Sequence, residues 1–148
     1  MSENIATEQA TEKPKHGEFC WTEIATGNLE ASKTFYTEIF GWQFKKSCAT
    51  DTKDFEYIEF GTTVEKQFGG MFEMKPEFYG GETPKPHINI YVAVDNVDEI
   101  ASRAFELGGS IVGPPMDVPG VGRMCRIQDP TGARFFVITP NGERRNER

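Results

Sequence analysis

The chain is 148 residues long, with a formal net charge of −7, 37% hydrophobic and 26% charged residues, the composition of one soluble globular domain large enough to bury a core. Its acidity leaves no basic stripe to neutralise phosphates or to meet an anionic bilayer, which argues against nucleic-acid and membrane-surface partners. No apolar run approaches the roughly 20 residues of a membrane-spanning helix.

Residues 1–15 are polar, lack the apolar stretch of a signal peptide and are expected to form a disordered arm. A first strand is predicted over 18–24, with Phe19, Trp21 and Glu23 on one face and Cys20, Thr22 and Ile24 on the other. Asn28 is an N-cap for a helix over 29–40, with Glu30 in the first turn. Its buried stripe is expected at Ser32, Phe35, Tyr36 and Ile39, and Gly41 ends it. Strands follow at 42–44, 54–60 and 68–72. The Pro- and Gly-rich stretch 75–86 reads as a connector. From 87 to 94, Ile88, Ile90, Val92 and Val94 alternate with His87, Asn89 and Tyr91, the pattern of a half-buried strand. Asn96 then caps a second helix with a stripe at Val97, Ile100, Ala101, Ala104 and Leu107, stopped by Gly108-Gly109. A short strand at 110–112, a Gly/Pro-rich loop at 113–122 and strands at 123–127 and 134–139 complete the chain. Asp129-Pro130-Thr131-Gly132 joins the last two as a tight turn.

The order of these signals repeats. With a shift of 68 residues Asn28 falls on Asn96, Leu29 on Val97, Glu30 on Asp98, Glu38 on Glu106, Ile39 on Leu107 and Gly41 on Gly109. The predicted class is therefore α+β: two tandem βαβββ modules, about 16–74 and 86–140, forming paired sheets around a central cleft, with a polar tail at 141–148. Each helix covers one sheet face, and the other face must be buried by the partner module or lie open to a ligand.

Two motif sets carry a family resemblance. The first is Gly17-x-Phe19-x-Trp21-x-Glu23-Ile24 followed by Ala31-x3-Phe35-Tyr36-x3-Phe40-Gly41-Trp42. The second is Val92-x-Val94-Asp95-Asn96-Val97-Asp98, Leu107-Gly108-Gly109 and Asp129-Pro130-Thr131-Gly132-Ala133. Over about 16–140 the chain resembles the vicinal oxygen chelate superfamily, which includes glyoxalase I, bleomycin and fosfomycin resistance proteins, extradiol dioxygenases and methylmalonyl-CoA epimerase. The resemblance implies a cleft between modules and, in the enzymes, one divalent metal held by a His or Glu from the first strand of each module and a Glu from the last strand of each. Carried onto this sequence, those positions are Trp21, Phe68, Asn89 and Phe136. Three aromatics and one amide do not hold Mn, Fe, Ni or Zn. A shift of two residues in the first strands offers Glu23 and His87, two protein ligands at most. No metal and no other cofactor is expected.

Several side chains on these faces have two readings each. Trp21 and Phe136 either stack on a flat ligand or fill the space between modules. Asn89 and Tyr91 need hydrogen-bond partners, which a ligand, a water or another side chain could supply. Glu23 is the candidate catalytic residue, a general base raised in pKa by burial, or it is the ion-pair partner of an arginine such as Arg123 or Arg126. His87 is the titrating partner of Glu23 or a surface residue after Pro86. Cys20, Cys48 and Cys125 form no Cys-x-x-Cys pair, and their odd number without a secretory signal reads as reduced thiols in a cytoplasmic protein.

The functional expectation is a glyoxalase/bleomycin-resistance-like protein that binds an unidentified small organic molecule, lined by Trp21, Phe68, Asn89, Tyr91, Arg123 and Phe136. The alternatives are an enzyme of the lactoylglutathione-lyase or epimerase type using Glu23 as base, with Arg123 or Asn89 stabilising the enediolate, and a non-catalytic scaffold that uses the fold to form a homodimer.

Overall fold

The computed structural model describes residues 13–47 and 55–140. The expected arm before residue 13, the tail from 141, Cys48 and the start of the predicted strand at 54 lie outside the described residues. The elements in chain order are β1 (Phe19–Thr26), α1 (Leu29–Phe40), β2 (Gln43–Lys46), β3 (Tyr57–Thr63), β4 (Lys66–Glu73), a 3-10 turn (Pro76–Tyr79), β5 (His87–Ala93), α2 (Val97–Glu106), β6 (Ser110–Ile111), β7 (Met116–Val118), β8 (Gly122–Gln128) and β9 (Arg134–Pro140). The α+β class holds.

Both helices start where asparagine dictates. The Asn28 side chain accepts from the Ala31 amide at 3.0 Å and the Asn96 side chain from the Glu99 amide at 3.1 Å, each satisfying a donor that the first turn leaves unpaired. Gly41 ends α1 at φ 73°, with its amide on Thr37 O. The Asp129 turn also forms: its Oδ1 accepts from the Thr131, Gly132 and Ala133 amides, and Gly132 sits at φ 110°.

The strands make one sheet in the order β2-β3-β4-β1-β5-β9-β8-β6, with β7 pairing on β8. Its two halves, β2-β3-β4-β1 and β5-β9-β8-β6, meet through the antiparallel pair β1·β5. Within each half the first strand runs parallel to the last, β1 with β4 and β5 with β9. At the junction Thr22 pairs with Ile90, which is its own counterpart under the 68-residue shift. Trp21 therefore faces Tyr91, and Glu23 faces Asn89.

One sheet face carries the helices. Between α1 and the sheet, Leu29 of the helix packs on Ile24, Ile58, Phe60 and Met71, with Tyr36, Trp42 and Phe44 against them. Between α2 and the sheet, Val97 and Ala101 of the helix pack on Val94, Cys125, Ile127 and Val137. The α2 stripe is as predicted except Leu107, which lies past the helix end and is 63% exposed. The α1 stripe is not. Phe35 and Ile39 each stay 54% exposed, because the helix turns Leu29 and Tyr36 to the sheet and leaves those two on its flank.

Among the described residues no α-helix covers the opposite face, here the inner face. Ala25, Tyr57, Phe72 and Met74 form a small core on it, with Phe55 and Tyr79 packed against them. Tyr79 comes from the 3-10 turn, so the predicted connector also covers part of this face.

Candidate functional site

Alternation along β1 turns Glu23 to the inner face while Ile24 enters the core beneath α1. Glu23 is 7% exposed, and three side chains meet its carboxylate. Tyr57 Oη donates to Oε1 at 3.1 Å. Tyr91 Oη lies 3.0 Å from Oε1 and 3.1 Å from Oε2 and donates between them. Asn89 Nδ2 donates to Oε2 at 3.1 Å. Behind this ring Trp21 Nε1 donates to Tyr57 Oη at 2.9 Å. Strands β1, β3 and β5 thus supply one connected network.

A glycine makes the network possible. Glu23 pairs with Gly70 on β4, which in turn pairs with Glu59 on β3. Tyr57 must reach across β4 to touch Glu23, and its phenol passes over Gly70. A Cβ at position 70 would lie 2.1 Å from Tyr57 Oη and 2.3 Å from its ring carbons.

Burial pushes the Glu23 carboxyl above its ordinary value, and the hydrogen bonds from Asn89, Tyr91 and Tyr57, with the charge of His87, act against that rise. The direction of the net shift decides which effect wins: three donors, each worth about 1.5–3 kcal/mol to a charged acceptor, do not fully offset removing the carboxylate from water. Burial, and then the negative charge of Glu23, push the Tyr57 and Tyr91 phenols up, so both stay protonated donors at neutral pH.

Next to this network runs a row of cross-strand neighbours. Trp21 pairs with Tyr91, Tyr91 with Phe136, and Phe136 with Arg126. The Tyr91 and Phe136 rings stack at 4.6 Å and 9°. The Arg126 guanidinium carbon lies 5.7 Å from the Phe136 ring centre, within reach of a cation–π contact. Trp21, Phe136, Arg126 and Tyr79 are half-buried. Burial and the charge of Glu23 raise the Tyr79 hydroxyl, and the charge of Arg126 pulls it back down.

Of the predicted site residues, Trp21, Glu23, Asn89, Tyr91 and Phe136 come together on this face. Two do not. Phe68 is the extra residue of a β-bulge, since Phe60 pairs with Gly69 and Gly61 with Gln67. The bulge re-aims its ring, which packs edge-on against Trp42 and Phe60 on the α1 side. Arg123 points away from the inner face: it forks onto Asp98 of α2 at 2.8 and 3.0 Å and reaches Asp117 of β7 at 3.1 Å. The expected ion pair of Glu23 with Arg123 or Arg126 is replaced by neutral donors. His87 is half-buried, pairs with Ala25 rather than Glu23, and gives its Nδ1 proton to Lys85 O at 2.6 Å. Cys125 is buried under α2, and burial pushes its thiol up, away from nucleophilic chemistry. Sequence reasoning missed Tyr57, Gly70 and Tyr79 as parts of this face. The Gly69-Gly70 pair inside a predicted strand was the available signal of a close approach.

The donor set does not fit a catalytic metal. Among the described residues no three His, Cys, Asp or Glu side chains cluster closely enough to hold one. The implied positions present an indole, a primary amide, the Phe136 phenyl and the re-aimed Phe68. The carboxylate nearest to them is already bound by two phenols and an amide. Two surface hollows lie elsewhere, one by His16, Asp95 and Thr139, the other by Leu29, Phe55, Glu73 and Phe78.

Comparison with known proteins bears on the fold and family. The model of the Glyoxalase/Bleomycin resistance protein/Dioxygenase superfamily matches residues 19–137. "Putative glyoxylase CFP32" of Mycobacterium bovis is 30% identical over 124 residues, 84% of this chain and 44% of the relative. "Anthracycline biosynthesis protein DnrV" of Streptomyces peucetius is 29% identical over 125 residues, 79% of this chain and 45% of the relative. The chain thus spans less than half the length of these curated relatives. Among solved structures, methylmalonyl-CoA epimerase from Mycobacterium tuberculosis is similar with a TM-score of 0.57 at 15% identity, covering 86% of this chain and 89% of that one. Hypothetical protein BH1468 from Bacillus halodurans is similar with a TM-score of 0.59 at 13% identity, covering 86% and 96%. At such identities the likeness is one of fold alone.

Proposed function

The chain belongs to the glyoxalase/bleomycin resistance protein/dioxygenase superfamily, and we propose that it binds a small organic molecule on the inner face of its sheet without a metal ion. One observation carries the reading: where the family resemblance implies metal ligands, this chain sets aromatic rings and an amide around a carboxylate whose oxygens are already engaged. Half-buried aromatic surface beside a few fixed polar groups is the usual lining of a small-molecule site. The network holds Tyr91 and Trp21 in fixed orientations, which lowers the ordering cost of binding. Relatives named for glyoxylase and for anthracycline biosynthesis are compatible with a small organic ligand. Thermal-shift screening against neutral and charged flat organic molecules, with and without added divalent metals, tests the reading. Stabilisation by an organic compound that persists in chelator supports it; stabilisation only when metal is present overturns it.

A second reading is favoured by the raised carboxyl of Glu23. A carboxylate raised in this direction is a stronger base toward a proton next to a carbonyl than an exposed one. Ligand binding would first have to displace Tyr57 or Tyr91 from it. An E23Q variant that keeps full turnover of any identified substrate excludes this role.

A further inference from the structure

Arg126 is the strongest unexplained cation of the inner face. Cys125 and Ile127 enter the core beneath α2, so Arg126, between them on β8, lies on the side of Phe136 and Tyr91. Among the described residues it has no ion-pair partner, whereas Arg123, three residues earlier, has two. Its Nε is buried and has no hydrogen-bond partner among the described residues. A buried donor without an acceptor is destabilising, and a guanidinium carries five donors in a fork matched to a carboxylate.

Building on the small-molecule reading above, we propose that Arg126 is an anion-recognition residue and that the ligand carries a carboxylate attached to a flat apolar body. The row Arg126–Phe136–Tyr91–Trp21 spans three strand steps, roughly 14 Å at about 4.8 Å per step, which fits a carboxylate at one end and one or two fused rings along the rest. Charge sets the polarity of that arrangement. The Glu23 carboxylate lies under Tyr91 and repels an anion from that end, while Arg126 attracts it to the other. Both charges reach the Tyr79 hydroxyl: Glu23 raises it and Arg126 lowers it. One guanidinium fork pairs with one carboxylate.

The test uses the full chain, labelled with 15N, titrated with 2-naphthoate and with the neutral 2-naphthamide. The Trp21 indole N–H reports occupancy of the inner face, and the Arg126 Nε–H reports the anion. The expected result is a shift of both signals with the acid, at least ten-fold tighter binding of acid than amide, loss of that preference in R126M and partial retention in R126K. Equal affinity for acid and amide, with the Trp21 signal moving and the Arg126 signal still, overturns the anion assignment and leaves small-molecule binding standing. No movement of either signal with either compound overturns both.

Discussion

Gly70→Ala tests the inner-face network at its narrowest point. The added methyl would lie 2.1 Å from Tyr57 Oη and 2.3 Å from two ring carbons, far inside van der Waals contact. Backbone strain is not the issue, because Gly70 is not among the positive-φ glycines. Tyr57 is 8% exposed and packs against Ala25, Phe72 and Met74, so its ring has little room to slide. Overpacking of this kind costs about 1–3 kcal/mol. Displacing the phenol also removes its hydrogen bond to the Glu23 carboxylate, worth about 1.5–3 kcal/mol. The expected loss is about 3–5 kcal/mol in urea unfolding, a large part of the roughly 5–15 kcal/mol that holds a domain folded. The cost should fall below about 1 kcal/mol in a Tyr57→Leu background, where no phenol crosses the glycine. A Gly70→Ala protein as stable as the parent, or one equally destabilised with and without the Tyr57 ring, would refute the packing argument.

The remaining predictions follow from the same contacts. Glu23 binds its proton more tightly in the folded chain than in the unfolded one, so its contribution is present below the ordinary value of 4.5 and lost as pH rises through the folded value. E23Q should therefore gain stability relative to the parent as pH is raised above that point; a melting-temperature difference that does not change with pH contradicts this. Tyr91→Phe removes the phenol that bridges both Glu23 oxygens and should raise the Glu23 pKa further, measurable by the carboxyl 13C shift against pH. Asn28→Ala and Asn96→Ala should each cost about 1 kcal/mol as lost helix caps, read by urea unfolding, with no change in ligand affinity. R123A should leave ligand binding unchanged by calorimetry, because its fork goes to Asp98 and Asp117.

What could be read from the sequence was local. Asn28 and Asn96 cap their helices through their own side chains, and Asp129 builds its turn within four residues. Strand alternation was enough to put Trp21 with Glu23, and Asn89 with Tyr91. The partners of Glu23 were not readable, because Tyr57 reaches it only through the register of three strands and the absence of a side chain at Gly70. Phe68 was misplaced for a related reason: strict alternation puts it on the inner face, and a one-residue bulge opposite the Phe60–Gly61 step turns it away. Arg123 was misplaced because its partner Asp117 sits on β7, a strand of three residues inside a stretch whose glycines and prolines read as loop.

A site on this face that needs no metal should hold none, which elemental analysis reads out. The full chain should be equilibrated with Zn, Ni, Mn and Fe(II) in turn, passed through a desalting column and measured for metal per chain. Well under one equivalent of each is expected, with binding of an organic ligand unaffected by chelator. One tightly held metal per chain, lost in E23Q, would contradict it.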